Sequence, residues 1–168
     1  MQKINYNFVT LFGIGNMKVA PGTFGSIFAC VILFILFHVL NLNNYLILFF
    51  LILITIFSFI SINIYLKSSP TKDPKEVVVD EFIGQSIPIF SYEISHGYEK
   101  LASDALIFYF IIFILFRIYD IFKPFPINYI DNNLQNAVGV ILDDIIAGIY
   151  TVFTLIIIIL AKFYFLWI

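Results

Sequence analysis

Apolar side chains fill four long stretches of this chain, at residues 24–40, 45–66, 105–121 and 145–168. Each stretch comes near the roughly 20 residues that an α-helix needs to cross the hydrocarbon core of a membrane. The polar segments between them contain prolines and Asp/Asn clusters, which are typical of loops and helix ends. The pattern predicts an all-α membrane bundle of about four to five helices.

A further helix, the third in chain order, depends on a shorter stretch than the other four. Residues 77–92 form a shorter apolar run that contains Gln85 and Pro88. If this run crosses the membrane, the chain makes five passes. A tilted or re-entrant segment is the alternative. If the run dips in and returns, the later topology inverts, and Asp120 ends on the side opposite Asp80.

The distribution of cations favours five passes. Five passes place residues 1–22, 67–76 and 123–139 on one side of the membrane, and residues 41–44, 91–100 and the C-terminal end on the other. Of the nine cations, seven fall on the first side and two on the second: Lys3, Lys18, Lys67, Lys72, Lys75, Arg117 and Lys123, against Lys100 and Lys162. Because cytoplasmic loops carry an excess of Lys and Arg, the first side is predicted to be cytoplasmic.

The composition supports a single membrane domain. The chain is 61% hydrophobic and 12% charged, and its mean hydropathy is +1.01. That leaves too little polar surface to coat a soluble globule, so residues 1–168 are interpreted as one membrane-embedded domain. The net charge of −2 gives no reason to expect binding to nucleic acid.

Carboxylates recur where five passes put helix ends on the cytoplasmic side. Asp80 and Glu81 begin the third pass, Asp120 ends the fourth, and Asp143 and Asp144 begin the fifth. An isolated acid costs about 3 kcal/mol at the centre of a membrane helix, so such acids need partners, water or a helix end. Their common depth predicts that these residues share one site.

Two glycines indicate how the acids meet. Gly84 follows Asp80 by four residues, and Gly148 follows Asp144 by four, so each glycine shares a helical face with its acid. Glycines let helix backbones approach closely in lipid. The third and fifth passes are therefore predicted to pack along these faces.

The clustered acids predict a metal site. Carboxylates packed at the edge of an apolar bundle repel one another, and a divalent cation would relieve that repulsion. The predicted ligands are Asp80, Glu81, Asp143 and Asp144. Oxygen ligands without a nearby His or Cys favour Mg²⁺, with Mn²⁺ as the alternative, over zinc.

Cations near these acids predict phosphate binding. Arg117, Asp120 and Lys123 recur every three residues at a helix end that Pro124 terminates. Two cations beside a metal suit a doubly charged phosphate. The segment "GIGNMKVAPGTFGS" adds flexible glycines, Lys18 and unpaired N–H groups at a helix start, although it is not a Walker motif.

Other interpretations stay open at this point. Paired acids at a helix start can be solvated residues favoured by the helix dipole, and cations at helix ends often snorkel. Asp131, in "NYIDNN", is expected to be a turn residue in a loop. Intramembrane acids also mark ion pathways, so an ion-coupled transporter is the non-enzyme alternative. An alcohol phosphotransferase that uses CDP-lipids is a further alternative, but the sequence lacks its longer Asp-Gly and Ala-Arg signature.

Four stretches carry the residues discussed: "GIGNMKVAPGTFGS", "KDPKEVVVDEFIGQ", "FRIYDIFKPFPI" and "GVILDDIIAGIY". Taken in order, they resemble the phosphatidylglycerophosphatase A family of bacterial membrane lipid phosphatases. The resemblance implies Mg²⁺-dependent hydrolysis of phosphatidylglycerophosphate to phosphatidylglycerol and phosphate, on the cytoplasmic side of the inner membrane. It also implies a set of functional residues: catalytic Asp80, Glu81, Asp120, Asp143 and Asp144, and phosphate-binding Lys18, Thr23, Arg117 and Lys123.

These observations lead to one mechanistic hypothesis. A subset of the four predicted metal ligands holds Mg²⁺, Arg117 and Lys123 bind the phosphate oxygens, and a remaining carboxylate acts as general base. The expected partners are the membrane and a lipid substrate. The sequence gives no positive evidence for a homo-oligomer.

Overall fold

The computed structural model describes residues 2–69, 71, 74–96 and 102–166. Every regular element within these ranges is helical, which confirms the predicted fold class. The helices are α1 Gln2–Val9, α2 Pro21–Phe34, α3 Asn44–Leu66, α4 Val79–His96, α5 Ala102–Phe122, α6 Ile127–Asn133 and α7 Ala137–Leu166. Lys72 and Lys100, which enter the cation count, and residues 167–168 of the last apolar stretch lie outside the described residues.

Four helices in the described part of the chain are long and apolar enough to cross a membrane. They cover Pro21–Val39, Asn44–Leu66, Asp104–Phe122 and Ala137–Lys162. The first of these spans is α2 together with the π-helical segment Ile35–Val39 that continues it. Each span overlaps one of the four apolar stretches, so these four predictions are confirmed and the chain is a membrane protein.

Helix α4 corresponds to the shorter apolar run at residues 77–92, and it extends along the length of α2. A Cβ on Gly25 of α2 would lie 3.0 Å from the carbonyl oxygen of Val78, just before α4 begins. Further side-chain contacts follow in order along both helices: Phe28 with Phe82, Phe37 with Phe90, and His38 with Glu93. Helix α4 thus runs beside α2 from its start to His38, but it is not among the four helices long and apolar enough to cross a membrane, and a fifth pass stays a prediction.

The bundle therefore has two distinguishable ends. The end at which Asp80 begins α4 is called the acidic end below, and the end that holds His38 and Glu93 is called the far end. At the far end, Nε2 of His38 lies 3.1 Å from Oε1 of Glu93. His38 is thus remote from the acids that begin α4.

Helices α4 and α7 pack through the two glycines that share a face with an acid. A Cβ on Gly84 would lie 2.6 Å from the carbonyl oxygen of Asp144, and one on Gly148 would lie 2.4 Å from the carbonyl oxygen of Gly84. Pro88, four residues after Gly84, has no N–H to donate to the Gly84 carbonyl. That carbonyl oxygen faces α7 at Gly148. The predicted close approach of these helices is confirmed, and it brings Asp80 and Asp144 to the same level.

The N-terminal helix supports the start of α4. Phe8 of α1 packs edge-on against Phe57 of α3, with ring centroids 4.7 Å apart. The backbone N–H of Val78 donates to the carbonyl of Val9 at 2.9 Å. This bond joins the residue before α4 to the end of α1, so the start of α4 has a fixed position.

Candidate active site

A pocket of about 570 Å³ opens at the acidic end. The start of α2, the start of α4, the end of α5, helix α6 and the start of α7 all contribute to its walls. Seven of the nine residues predicted to be functional line it: Asp80, Glu81, Arg117, Asp120, Lys123, Asp143 and Asp144. The structure therefore brings together acids and cations from three helices and the residue that follows α5.

Three carboxylates form the centre of this pocket and are called the acidic triad below: Asp80, Glu81 and Asp144. One carboxylate oxygen from each lies within 4.8 Å of the others. Asp80 is 7% exposed and Asp144 is 4% exposed. Three anions at this distance and burial repel one another strongly unless a cation or protons compensate them.

The triad also has unused hydrogen-bonding capacity. Oδ1 of Asp80, Oε2 of Glu81 and Oδ1 of Asp144 are buried and have no hydrogen-bond partner among the described residues. Buried polar atoms in folded proteins are nearly always paired with protein, water or an ion. A set made only of carboxylate oxygens suits a hard divalent cation such as Mg²⁺ or Mn²⁺. The triad could hold such an ion.

Gly22 of α2 packs directly against the Glu81 carboxylate of the triad. A Cβ at this position would lie 2.0 Å from Oε1 of Glu81 and 3.3 Å from Nη1 of Arg117. The chain enters the helix through Ala20, which has a left-handed backbone with φ of 47°, and Pro21, which is well suited to the first helical position. The "PGTFG" stretch thus supplies close backbone packing against the acid and its neighbouring cation.

The two predicted phosphate-binding cations at the end of α5 are each held by acids. Arg117 forms an ion pair with Asp120, one turn later on the same helix. Nζ of Lys123 lies 2.9 Å from Oδ2 of Asp143 and 2.8 Å from Oδ1 of Asp131. Burial alone would lower the pKa of Lys123, but its hydrogen bonds to these two acids outweigh that effect and raise the pKa above its usual value.

Asp143 differs from the other three predicted metal ligands. Its Oδ2 accepts from Lys123, and its Oδ1 accepts from the backbone N–H of Asp144 at 3.1 Å. Both oxygens therefore have donors, and Asp143 does not belong to the group of three whose oxygens lie within 4.8 Å. Its position links the lysine after α5 to the triad, and metal ligation by Asp143 stays a prediction.

The expectation that Asp131 is a turn residue in a loop is wrong. Asp131 lies within α6, pairs with Lys123, and lines the pocket. The hydroxyl of Tyr150 in α7 donates to the carbonyl of Phe125 at 2.8 Å, just before α6. The "NYIDNN" composition favours a turn, and a contact across eight residues of sequence has no local signal that could have revealed it.

Two predicted phosphate ligands do not line the pocket. Lys18 is exposed and lies before α2, and Thr23 is half-buried in the first turn of α2. The N-terminal segment instead contributes Ala20, Pro21 and Gly22 to the pocket wall. Phosphate binding by Lys18 and Thr23 stays a prediction.

Gln85 is a buried polar residue near the site that the sequence did not predict to be functional. Gln85 lies one turn after Glu81 on α4 and is fully buried. Neither its amide nitrogen nor its amide oxygen has a partner among the described residues. The signal available in the sequence was an amide inside an apolar helix, four residues after a predicted metal ligand.

Together, the fold and the pocket define a class of protein. This is a helical membrane protein whose acids and cations line a polar pocket at one end of the bundle.

The family is shown by comparison with known proteins. The family model for phosphatidylglycerophosphatase A matches residues 7–159. The chain is 34% identical to phosphatidylglycerophosphatase A of Haemophilus influenzae over 146 residues, 84% of this chain and 80% of the relative. It is 30% identical to the protein of the same name from Escherichia coli K12 over 143 residues, 82% and 73% of the two chains. The chain belongs to the phosphatidylglycerophosphatase A family and is a phosphatase.

A further relative carries a different name. A protein from Bacteroides thetaiotaomicron with the provisional name phosphatidylinositol-3-phosphatase is 36% identical over 144 residues, 84% of this chain and 85% of the relative. No solved structure matches this chain. None of the relatives is named as a transporter, and the acids lie at helix ends, so nothing supports the ion-coupled alternative.

Proposed function

We propose that this protein hydrolyses the terminal phosphate of phosphatidylglycerophosphate in a Mg²⁺-dependent reaction, giving phosphatidylglycerol and inorganic phosphate. The observation that carries the proposal is the acidic triad, whose unpartnered oxygens share a pocket with Arg117 and Lys123. Membership of the phosphatidylglycerophosphatase A family supports the choice of substrate.

Charge balance supports the need for a cation. Six carboxylates and three cationic side chains line the pocket: Asp80, Glu81, Asp120, Asp131, Asp143 and Asp144, with Lys75, Arg117 and Lys123. With all of these groups ionised, the pocket repels a phosphate dianion. Asp80, Glu81 and Asp144 would hold Mg²⁺, which supplies charge neutralisation and lowers the pKa of a bound water.

Arg117 and Lys123 would bind the phosphate oxygens. Arg117 uses Nη1 for Asp120, while its buried Nε has no partner among the described residues, so the guanidinium keeps donors for a second anion. Lys123 is held between Asp131 and Asp143, and its raised pKa keeps it charged in the neutral range. Arginine and lysine fixed by acids need little reorganisation when a phosphate arrives.

The chemical step requires a water molecule and two proton transfers. The water oxygen forms a bond to phosphorus, the bond from phosphorus to the glycerol oxygen breaks, and the leaving oxygen gains a proton from the carboxylate that deprotonated the water. A pocket carboxylate takes the proton from the water; Asp120 and Asp143 are the candidates, because neither belongs to the acidic triad. Uncatalysed hydrolysis of phosphate monoesters is slow enough that accelerations of up to about 10²¹ are known, so several charges must act together.

The acidic end is proposed to face the cytoplasm across a bacterial inner membrane. The positive-inside rule supports this orientation, because seven of the nine Lys and Arg residues fall on the same side as the pocket in the five-pass arrangement. In this orientation, the pocket lies at the depth of the inner headgroups.

Phosphate release by the purified protein in nanodiscs tests the proposal. The substrates are phosphatidylglycerophosphate, phosphatidylinositol 3-phosphate, phosphatidic acid and lysophosphatidic acid, each with Mg²⁺ and with EDTA. Phosphatidylglycerophosphate should be turned over fastest, and only with Mg²⁺. Preference for the inositol lipid would instead assign the activity named for the Bacteroides relative.

Variants of the triad test the site itself. Asp80→Asn and Asp144→Asn should each lower turnover at least about a hundredfold, the scale of losing one preorganised electrostatic group. Asp104→Asn is the matched control, since Asp104 is exposed in the first turn of α5, away from the acidic end. Wild-type turnover in both triad variants, with all three proteins folded, would exclude the proposed centre.

A further inference from the structure

An apolar groove runs between α2 and α5, two of the helices that border the catalytic pocket. Helix α2 supplies Gly22 to the pocket and α5 supplies Arg117. Further along the same helices, a groove of about 370 Å³ lies between them. Six residues form most of its walls: Ile27 and Val31 of α2, Ile35 of the π-helical segment that continues it, and Leu106, Phe110 and Phe113 of α5.

The groove has the length and position of one acyl chain. Ile27 and Ile35 are eight residues apart, which corresponds to about 12 Å at the rise of an α-helix. One leaflet of the hydrocarbon core is about 15 Å deep. Ile27 lies five residues beyond Gly22, so the groove begins a short distance below the pocket and continues towards the far end.

The boundary between pocket and groove is a layer of polar contacts. Gly22, Glu81 and Arg117 meet where α2 and α5 approach α4. Phe113 lies one turn from Arg117 on the groove side, while Asp120 lies one turn from it on the pocket side. A lipid with its phosphate beside Arg117 would have its glycerol at this layer and its tail at Ile27 and Phe113.

We propose that the groove between α2 and α5 binds one acyl chain of the lipid substrate and so orients its headgroup in the pocket. This inference rests on the proposed function for the identity of the headgroup. Lipid tails are as apolar as leucine, so moving a chain from bilayer to groove gains little hydrophobic free energy. The groove therefore acts mainly through orientation of the scissile phosphate.

A second apolar groove offers a matched control. It lies between α3, α4 and α7, and its walls include Ile52, Ile56 and Ile87. Helices α4 and α7 also line the pocket, but α3, which carries Ile52 and Ile56, contributes no residue to it, whereas both walls of the α2–α5 groove belong to helices that do. Val31 is 50% exposed and Ile52 is 49% exposed, so the same substitution is comparable at the two positions.

The kinetic test compares Val31→Trp with Ile52→Trp on dipalmitoyl and dihexanoyl phosphatidylglycerophosphate. Val31→Trp should lower kcat/KM for the long-chain lipid roughly tenfold, less than the hundredfold loss expected for a displacement at the reacting atoms. For the dihexanoyl lipid, whose tails are too short to reach Val31, Val31→Trp should have the same kcat/KM as the wild type. Ile52→Trp should change neither value. Equal loss for both lipids, or no loss for the long one, would overturn the inference.

A binding test separates the groove from the activity. Phosphatidylglycerophosphate with a diazirine midway along one acyl chain is photolysed in nanodiscs, and the labelled peptides are identified by mass spectrometry. Specific label is defined as label that is removed by excess unlabelled phosphatidylglycerophosphate but not by phosphatidylcholine. It should fall within residues 27–35 and 106–113. Val31→Trp should abolish this label, and Ile52→Trp should leave it.

The outcomes of the binding test are distinguishable. If the protein shows specific label in the groove but releases no phosphate, the proposed function is refuted and acyl-chain binding by the groove is supported. Competable label within residues 48–56 and 83–94 would overturn the inference, as would label that phosphatidylcholine removes equally.

Discussion

Replacement of Gly22 by alanine is the sharpest single perturbation of the site. The new Cβ would lie 2.0 Å from Oε1 of Glu81, whereas ordinary contacts begin at 3.4 Å. The Glu81 carboxylate must therefore move by about 1.4 Å, the difference between these two distances. It can do so cheaply, because the clash is with the end of a flexible side chain rather than with backbone.

The displacement should damage activity more than stability. A misplacement of about 1 Å near reacting groups costs roughly a hundredfold in rate, which corresponds to about 2.7 kcal/mol of transition-state stabilisation. The free energy of unfolding should change little, because Glu81 can turn towards the pocket. We expect Gly22→Ala to lower phosphate release about a hundredfold and to leave Tm near that of the wild type.

Gly148→Ala is the matched substitution with the opposite expectation. Its Cβ would lie 2.4 Å from the backbone carbonyl oxygen of Gly84, so α4 and α7 must separate. The Tm of Gly148→Ala should therefore fall. Phosphate release per folded molecule and thermal unfolding in the same detergent separate the two effects. Wild-type turnover in Gly22→Ala would refute the placement of Glu81 at the reaction centre.

Three other substitutions test separate parts of the structure. Lys123→Met should lower turnover and cost about 1–3 kcal/mol of stability, because it removes the charged partner of Asp143, while Lys123→Arg should keep part of both. Because the folded-state pKa of Lys123 is raised, this stabilisation is present at neutral pH and is lost only as the pH rises through the raised pKa. Tm measured over a series of pH values would show this dependence. Gln85→Leu should keep or raise Tm, since an unsatisfied buried amide costs about 1–3 kcal/mol, but should slow phosphate release if the amide positions the site; unchanged turnover would assign Gln85 no functional part. His38→Ala should lower Tm by removing the far-end pair with Glu93 and should leave turnover per folded molecule unchanged; loss of turnover would instead indicate coupling between the two ends.

The features that sequence could predict are those with a local period. Apolar stretches of spanning length identify membrane helices because the lipid imposes that length on each segment separately. The spacing of Asp80 with Gly84, and of Asp144 with Gly148, places each pair on one helical face in any α-helix. Close approach of the two faces then follows from glycine alone, and the structure has that contact.

The features that sequence could not predict depend on how helices are placed relative to one another. Asp131 reaches Lys123 only because α6 turns back beside the end of α5, a direction that no periodic pattern in "KPFPINYIDNN" encodes. Lys18 and Thr23 follow from motif position, but the chain enters α2 so that backbone at Gly22, rather than either side chain, borders the pocket. Seven of the charged residues that line the pocket were therefore predictable, while the addition of Asp131 and the pairing of the charges depend on where α2, α5 and α6 end. For the same reason, Gly22→Ala discriminates better than a carboxylate variant: it leaves every charge in place and changes only the packing that positions one of them.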